Sequence, residues 1–134
     1  MLLADTRIGF VMRPKLHNVF VYGSLKRGFI NHSLLDGQQF IAVARTQPRY
    51  RLYTLITFPA MVEAAEGGHS IEGEIWSVDS ACLARLDILE DTAHGMYARV
   101  KIPLLPPHAS LPVEGYIYLF DVTNRTECGD VWRE

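Results

Sequence analysis

Cysteine is scarce in this chain: only Cys82 and Cys128 occur among 134 residues, and they form no Cys-x-x-Cys pair. That pattern excludes a disulfide framework and a cysteine-based zinc site, and a reducing, cytoplasmic setting is the simpler expectation. An excess of one charge is also lacking, with 13 Lys+Arg against 15 Asp+Glu and a formal net charge of -2. No overall field therefore favours nucleic acid or an anionic membrane, and a small-molecule partner becomes the default. His17, His32, His69, His94 and His108 are scattered without His-x-His or His-Glu-x-x-His spacing, so no metal is expected. Long hydrophobic runs are missing too. The opening "MLLADTRIGFVMRPKLHN" sets Asp5 and Arg7 where a signal peptide needs an unbroken apolar core, and no other stretch approaches membrane-spanning length. Residues 1–16 read as an N-terminal extension open to disorder, with Met12 as an alternative start, ahead of one domain over 17–134.

Hydrophobic residues make up 49% of the chain, enough for a single core at this length. Strands are expected in "NVFVYGS", "QFIAVART", "YRLYTLI", "SIEGEIWSV", "MYARVKIPL" and "VEGYIYLF", which are rich in β-branched and aromatic residues and often alternate. Gly67-Gly68 and the prolines at 103, 106, 107 and 112 mark loops. The clearest helix is "DSACLARLDILE", capped by Asp79 and carrying Leu83, Leu86 and Leu89 at helical spacing. A shorter one covers part of "NHSLLDG" and closes at Gly37. Six strands that do not alternate with helices predict an α+β domain with a mainly antiparallel, barrel-like sheet.

The stretch "VFVYGSLKRGFI" invites a phosphate-loop reading, because Gly23 and Gly28 have the glycine spacing of a Walker A motif. Phe29 and Ile30 stand where that motif needs Lys and Ser or Thr, so the reading fails, and Lys26 and Arg27 read as rim or surface residues. "YGSLK" also lacks the flanking glycines of a nucleophile elbow, which removes Ser24 as a hydrolase nucleophile. Glu90 is more informative. It projects near Leu83 and Leu86 at the end of the helix, where burial and the negative end of the helix dipole both raise a carboxyl pKa toward the range of a general base. A solvated helix-end acid, or a pair with Arg99, is the competing reading. Glu72 and Glu74 share a strand face with Trp76, read as a polar outer face or the lining of a cavity, while Asp87 and Asp91 read as solvated.

"VFVYGSLKRG", "YRLYTLITFPAMV", "IEGEIWSVD", "LARLDILED", "MYARV" and "GDVW" occur together and in that order. The set closely resembles the γ-glutamylcyclotransferase-like superfamily, in its branch of avirulence-induced-gene-like proteins and γ-glutamylamine cyclotransferases, over residues 18 to 132. The resemblance implies a small β-barrel flanked by helices, with a cavity between the turn Tyr22, Gly23, Ser24, Leu25 and the glutamate Glu90. It also implies an intramolecular, cofactor-independent reaction in which the α-amino group of a γ-glutamyl amine or γ-glutamyl amino acid attacks its own side-chain carbonyl. An amine and 5-oxoproline are released. Glu90 is then the acid/base, the turn binds substrate, and Tyr97 is a further contact. Gly23 is expected to permit close backbone approach to the ligand. The stretch "EDTAHGMY" departs from the pattern, since relatives tend to carry a proline there. The alternative from another class is a non-catalytic binding or regulatory module on the same barrel.

Overall fold

The computed structural model describes residues 15–134, so all but the last two residues of the expected extension lie outside it. Strand β1 (Leu16–Val21) leads through a turn and a short 3₁₀ segment (His32–Leu35) to β2 (Gln39–Arg45), β3 (Tyr50–Leu55), β4 (Phe58–Glu63) and β5 (Glu72–Asp79). The helix α1 (Ser80–Leu89) follows, then a 3₁₀ turn (Thr92–His94), β6 (Tyr97–Lys101), β7 (Glu114–Tyr118) and the short β8 (Thr126–Glu127). Five strands form one sheet in the order β2-β5-β1-β7-β6, and three form a second in the order β4-β3-β8.

The barrel expectation is corrected by this division. The strands lie in two separate ladders, and the contact between β4 and β7 is one of packing rather than strand pairing. The sheets are mainly antiparallel, but β1 and β7 run parallel. Two strands were hidden from the pattern. "FPAMVE" carries Pro59 and no alternation, yet it pairs with β3 along its whole length, from Tyr50↔Glu63 to Leu55↔Phe58. An edge position explains the tolerance, because a proline there need not donate to a second neighbour. β8 is two residues long, too short for any periodicity.

The central strand β1 sends alternate side chains into two clusters. Val19 and Val21 join Trp76, Val78, Leu83 and Leu86 on the helix side. Phe20 packs with Leu52, Met61 and Ile75 on the other. A strand covered on both faces needs an unbroken apolar run, which is what "VFVY" supplies. The same cover corrects the outer-face reading of β5: Glu74 is 7% exposed, pairs with Arg27 and accepts from Trp76 Nε1. Glu72 remains half-buried and pairs with Arg45. Gly73 lies between them because a Cβ there would meet the Phe20 ring at 2.5 Å and the Val21 carbonyl at 2.6 Å.

The expected cap of α1 is present: Asp79 Oδ1 accepts from Cys82 N–H at 2.8 Å, and this bond holds its carboxyl below the usual carboxylate range. The helix ends where Asp91 turns left-handed at φ 54°. At the tip of the β3–β4 hairpin Ile56 also has positive φ, 49°, and is 85% exposed. A β-branched residue in that conformation is strained.

Two outcomes are expected in urea titrations. Ile56→Asn should raise stability by about 1 kcal/mol, since Asn tolerates the left-handed region. Gly73→Ala should lower it by about 1–3 kcal/mol through overpacking against Phe20.

Candidate active site

A cavity of about 270 Å³ opens beside the end of β1 and is lined by the turn Tyr22 to Leu25, by Asn31, by Phe58 and Pro59 of β4, by Leu89 to Asp91, and by Met96, Tyr97 and Tyr116. All six residues proposed from the sequence, Tyr22, Gly23, Ser24, Leu25, Glu90 and Tyr97, line this one cavity. They come from three places in the fold, and no local pattern could have joined them.

The turn begins where the β1 ladder stops. Lys26 N–H bonds back to Gly23 O at 3.0 Å and Asn31 N–H to Ser24 O at 2.9 Å, closing the loop. The intervening N–H groups of Gly23, Ser24 and Leu25 donate to no acceptor among the described residues. Unpaired donors lining a cavity are the raw material of an oxyanion or carboxylate cradle. Ser24 Oγ accepts from Asn31 Nδ2 at 2.8 Å, so this hydroxyl is part of the loop's own bracing. Leu25 is 4% exposed and joins the core cluster of Val19, Val21 and Leu35. At Gly23 a Cβ would meet Pro59 Cγ at 2.6 Å. The glycine is therefore required by the packing of the second sheet against the turn, beside any role in ligand approach.

Lys26 and Arg27 do not line this cavity; both border a separate, more open depression with Glu74 and Trp132. The surface reading of Lys26 is corrected. It is 7% exposed, with Nζ donating to Trp132 O at 2.9 Å and lying over the Phe29 ring. Desolvation lowers its pKa. The C-terminal residues back the turn at a second point, where Glu134 Oε1 accepts from Ile30 N–H at 3.0 Å.

Glu90 stands at the C-terminus of α1, where its N–H bonds to Leu86 O and its side chain accepts no hydrogen bond or ion pair among the described residues. Burial pushes its carboxyl up to about 7. The pair with Arg99 does not form. Arg99 instead grips Asp87 through Nε at 2.9 Å and Nη2 at 3.2 Å, and reaches Glu114 through Nη1 at 2.5 Å. Asp87 also accepts from Tyr116 OH at 2.7 Å, so the solvated reading of Asp87 is corrected as well. Asp91 pairs with His94.

Three phenols surround Glu90. Burial raises the pKa of all three, followed by the neighbouring Tyr97 at Tyr22, by Glu90 at Tyr97 and by the hydrogen bond and charge of Asp87 at Tyr116, with the field of Glu90 a smaller cause at Tyr22 and Tyr116. Their hydroxyls are committed to the framework: Tyr22 OH donates to Tyr116 O at 2.7 Å and accepts from Met61 N–H at 3.3 Å, and Tyr97 OH donates to Pro59 O at 2.8 Å. Asn31, Pro59 and Tyr116 were missed by sequence reasoning. Of these, Tyr116 carried a usable signal, since it lies in an alternating strand on the face that β6 presents with Arg99.

The family model for gamma-glutamyl cyclotransferase, AIG2-like, matches residues 19–134. The chain belongs to this family. A Vibrio cholerae protein provisionally assigned as a gamma-glutamylcyclotransferase is 47% identical over 56% of this chain and 63% of its own. The gamma-glutamylaminecyclotransferase of Bos taurus is 33% identical over 78% of this chain and 66% of its own. The chain thus spans just under two thirds of the length of each. Among solved structures, an AIG2-like protein from Mus musculus superposes with a TM-score of 0.62 at 30% identity, covering 78% of this chain and 77% of that one. Among the described residues of this family member, no helix is long and apolar enough to cross a membrane, and no group of three or more His, Cys, Asp or Glu could hold a metal ion.

The isolated carboxyl gives a measurable sign. A native pKa of about 7 against 4.5 in the unfolded chain means that the native state binds the proton more tightly, so Glu90 lowers stability as pH rises through that window. Glu90→Gln should therefore match the native protein near pH 4 and exceed it by up to about 3 kcal/mol at pH 8, read from urea unfolding at the two pH values.

Proposed function

We propose that the protein is a cofactor-independent cyclotransferase that releases 5-oxoproline and a free amine from a γ-glutamyl compound, with Glu90 as the acid/base. One observation carries the reading: a carboxyl raised to about 7, with no partner among the described residues, shares one cavity with three N–H groups that lack acceptors there. Family membership supports the same chemistry.

The α-amino group of the substrate enters as an ammonium, which a carboxylate attracts and deprotonates. The freed nitrogen attacks the γ-carbonyl carbon, a C–N bond forms, and negative charge develops on the carbonyl oxygen. The N–H groups of Gly23 to Leu25 are suited to that oxygen or to the α-carboxylate; one well-aimed donor contributes roughly 3 kcal/mol to the transition state. Collapse breaks the bond to the departing nitrogen. Two protons must pass from the attacking to the departing nitrogen, and Glu90 can carry each in turn because a pKa near 7 makes it both acceptor and donor at neutral pH. Holding the glutamyl chain folded supplies much of the remaining barrier reduction as effective molarity. Tyr22 and Tyr97 act through position, their hydroxyls being bonded to backbone and their rings walling the cavity.

Incubation with a panel of γ-glutamyl amines and amino acids, followed by mass spectrometry for 5-oxoproline, tests the reading. Native protein should form product, with kcat/KM rising through an acid limb near pH 7, and Glu90→Gln should lose at least about 10²-fold. Ligand-induced thermal stabilisation without product would favour a binding module instead, and undiminished turnover by Glu90→Gln would remove that residue from the mechanism.

A further inference from the structure

Two of the N–H groups beside the cavity, those of Ser24 and Leu25, can serve a substrate oxygen only if their peptide planes are held, and the fold holds them from the carbonyl side. In a trans peptide the C=O and N–H project from opposite edges of one plane, so a hydrogen bond to the carbonyl fixes where the N–H of the next residue points. Gly23 O accepts from Lys26 N–H at 3.0 Å, which aims Ser24 N–H, and Ser24 O accepts from Asn31 N–H at 2.9 Å, which aims Leu25 N–H. The third plane, Leu25–Lys26, carries the N–H that holds Gly23 O. Its own carbonyl is held by a side chain: His32 Nδ1 lies 3.0 Å from Leu25 O. A carbonyl oxygen only accepts, so the ring nitrogen facing it carries the proton.

His32 opens the 3₁₀ segment His32–Leu35 and does not line the cavity. Its half-buried ring is set from behind by Trp76, with centroids 5.2 Å apart and the rings edge to face. Trp76 is fixed in turn, since its Nε1 donates to Glu74 Oε1, which also accepts from Arg27 N–H at 3.1 Å. Lys26 is anchored through Nζ on Trp132 O, but that bond sits at the end of a flexible stem and leaves the Leu25–Lys26 plane free to turn. We propose that His32 is a positioning residue for the reaction. Its Nδ1–H locks the Leu25–Lys26 peptide, the N–H of that peptide locks Gly23 O, and Ser24 N–H is thereby held for the substrate oxygen.

This role rests on the cyclotransferase reading, and one pair of variants separates the two failures. His32→Phe keeps a ring beside Trp76 and deletes the donor; His32→Asn keeps an N–H at the place of Nδ1 and deletes the aromatic contact. Positioning and packing therefore predict opposite orders. With the best γ-glutamyl substrate of the panel, His32→Phe should lose at least about tenfold in kcat/KM for 5-oxoproline release, since misplacing a group by about 1 Å costs on the order of 10²-fold. His32→Asn should stay within about threefold of the native protein, yet unfold at a lower urea concentration than His32→Phe. Nitrogen-15 NMR of the native protein, at a pH where the ring is neutral, should show His32 protonated on Nδ1 and bare on Nε2. Turnover by His32→Phe equal to or above that of His32→Asn, or a ring protonated on Nε2 instead, overturns the role and leaves the cyclotransferase standing. No product from the native protein with any compound overturns both.

Discussion

Two buried phenols hold the two sheets together around the cavity. Tyr22, at the end of the central strand, donates to the backbone of β7 and accepts from the backbone of β4, while Tyr97 at the start of β6 donates to Pro59 of β4. Since the sheets share no strand pairing, these bonds and the packing of Pro59 on Gly23 fix the distance between the turn and the second sheet. Buried hydroxyls with satisfied partners specify one arrangement, because any shift would leave a polar group stranded. The walls of the cavity are therefore also the joint of the fold.

A second constraint separates the two acids at the end of α1. Asp87 receives a guanidinium and a phenol, and Arg99 extends the network to Glu114. With the basic group of this neighbourhood engaged one turn earlier, Glu90 is left with burial as the dominant influence on its carboxyl. Similar residues three positions apart thus acquire opposite tasks from their surroundings alone: one ties the helix to the sheet, the other stays available to a proton.

Much of this was legible in the residues. The unbroken run at Val19 to Tyr22 announced a strand covered on both faces, Asp79 announced the cap, and the angular position of Glu90 beside Leu83 and Leu86 announced an acid near the core. What failed to show depends on tertiary cover. Glu74 looked like an outer-face residue because nothing local says that the 3₁₀ segment and β2 will roof it, with Phe40 and His32 packed on Trp76. Lys26 looked solvated because its acceptor, Trp132 O, is over a hundred positions away. β4 was masked by Pro59, whose suitability is decided by the strand beside it. Closure of the sheet into a barrel is likewise a question of which edges meet, on which alternation is silent.

The order β2-β5-β1-β7-β6 places the first strand at the centre of its sheet, with neighbours drawn from residues 72–79 and 114–118. Nearly every contact that frames the cavity is distant in sequence, and such topologies fold slowly because loop-closure entropy is lost before the contacts that offset it form. The turn Tyr22 to Leu25, attached to that central strand, thus takes its surroundings from residues as far along the chain as Tyr97 and Tyr116, so its shape is tied to the completion of the whole domain.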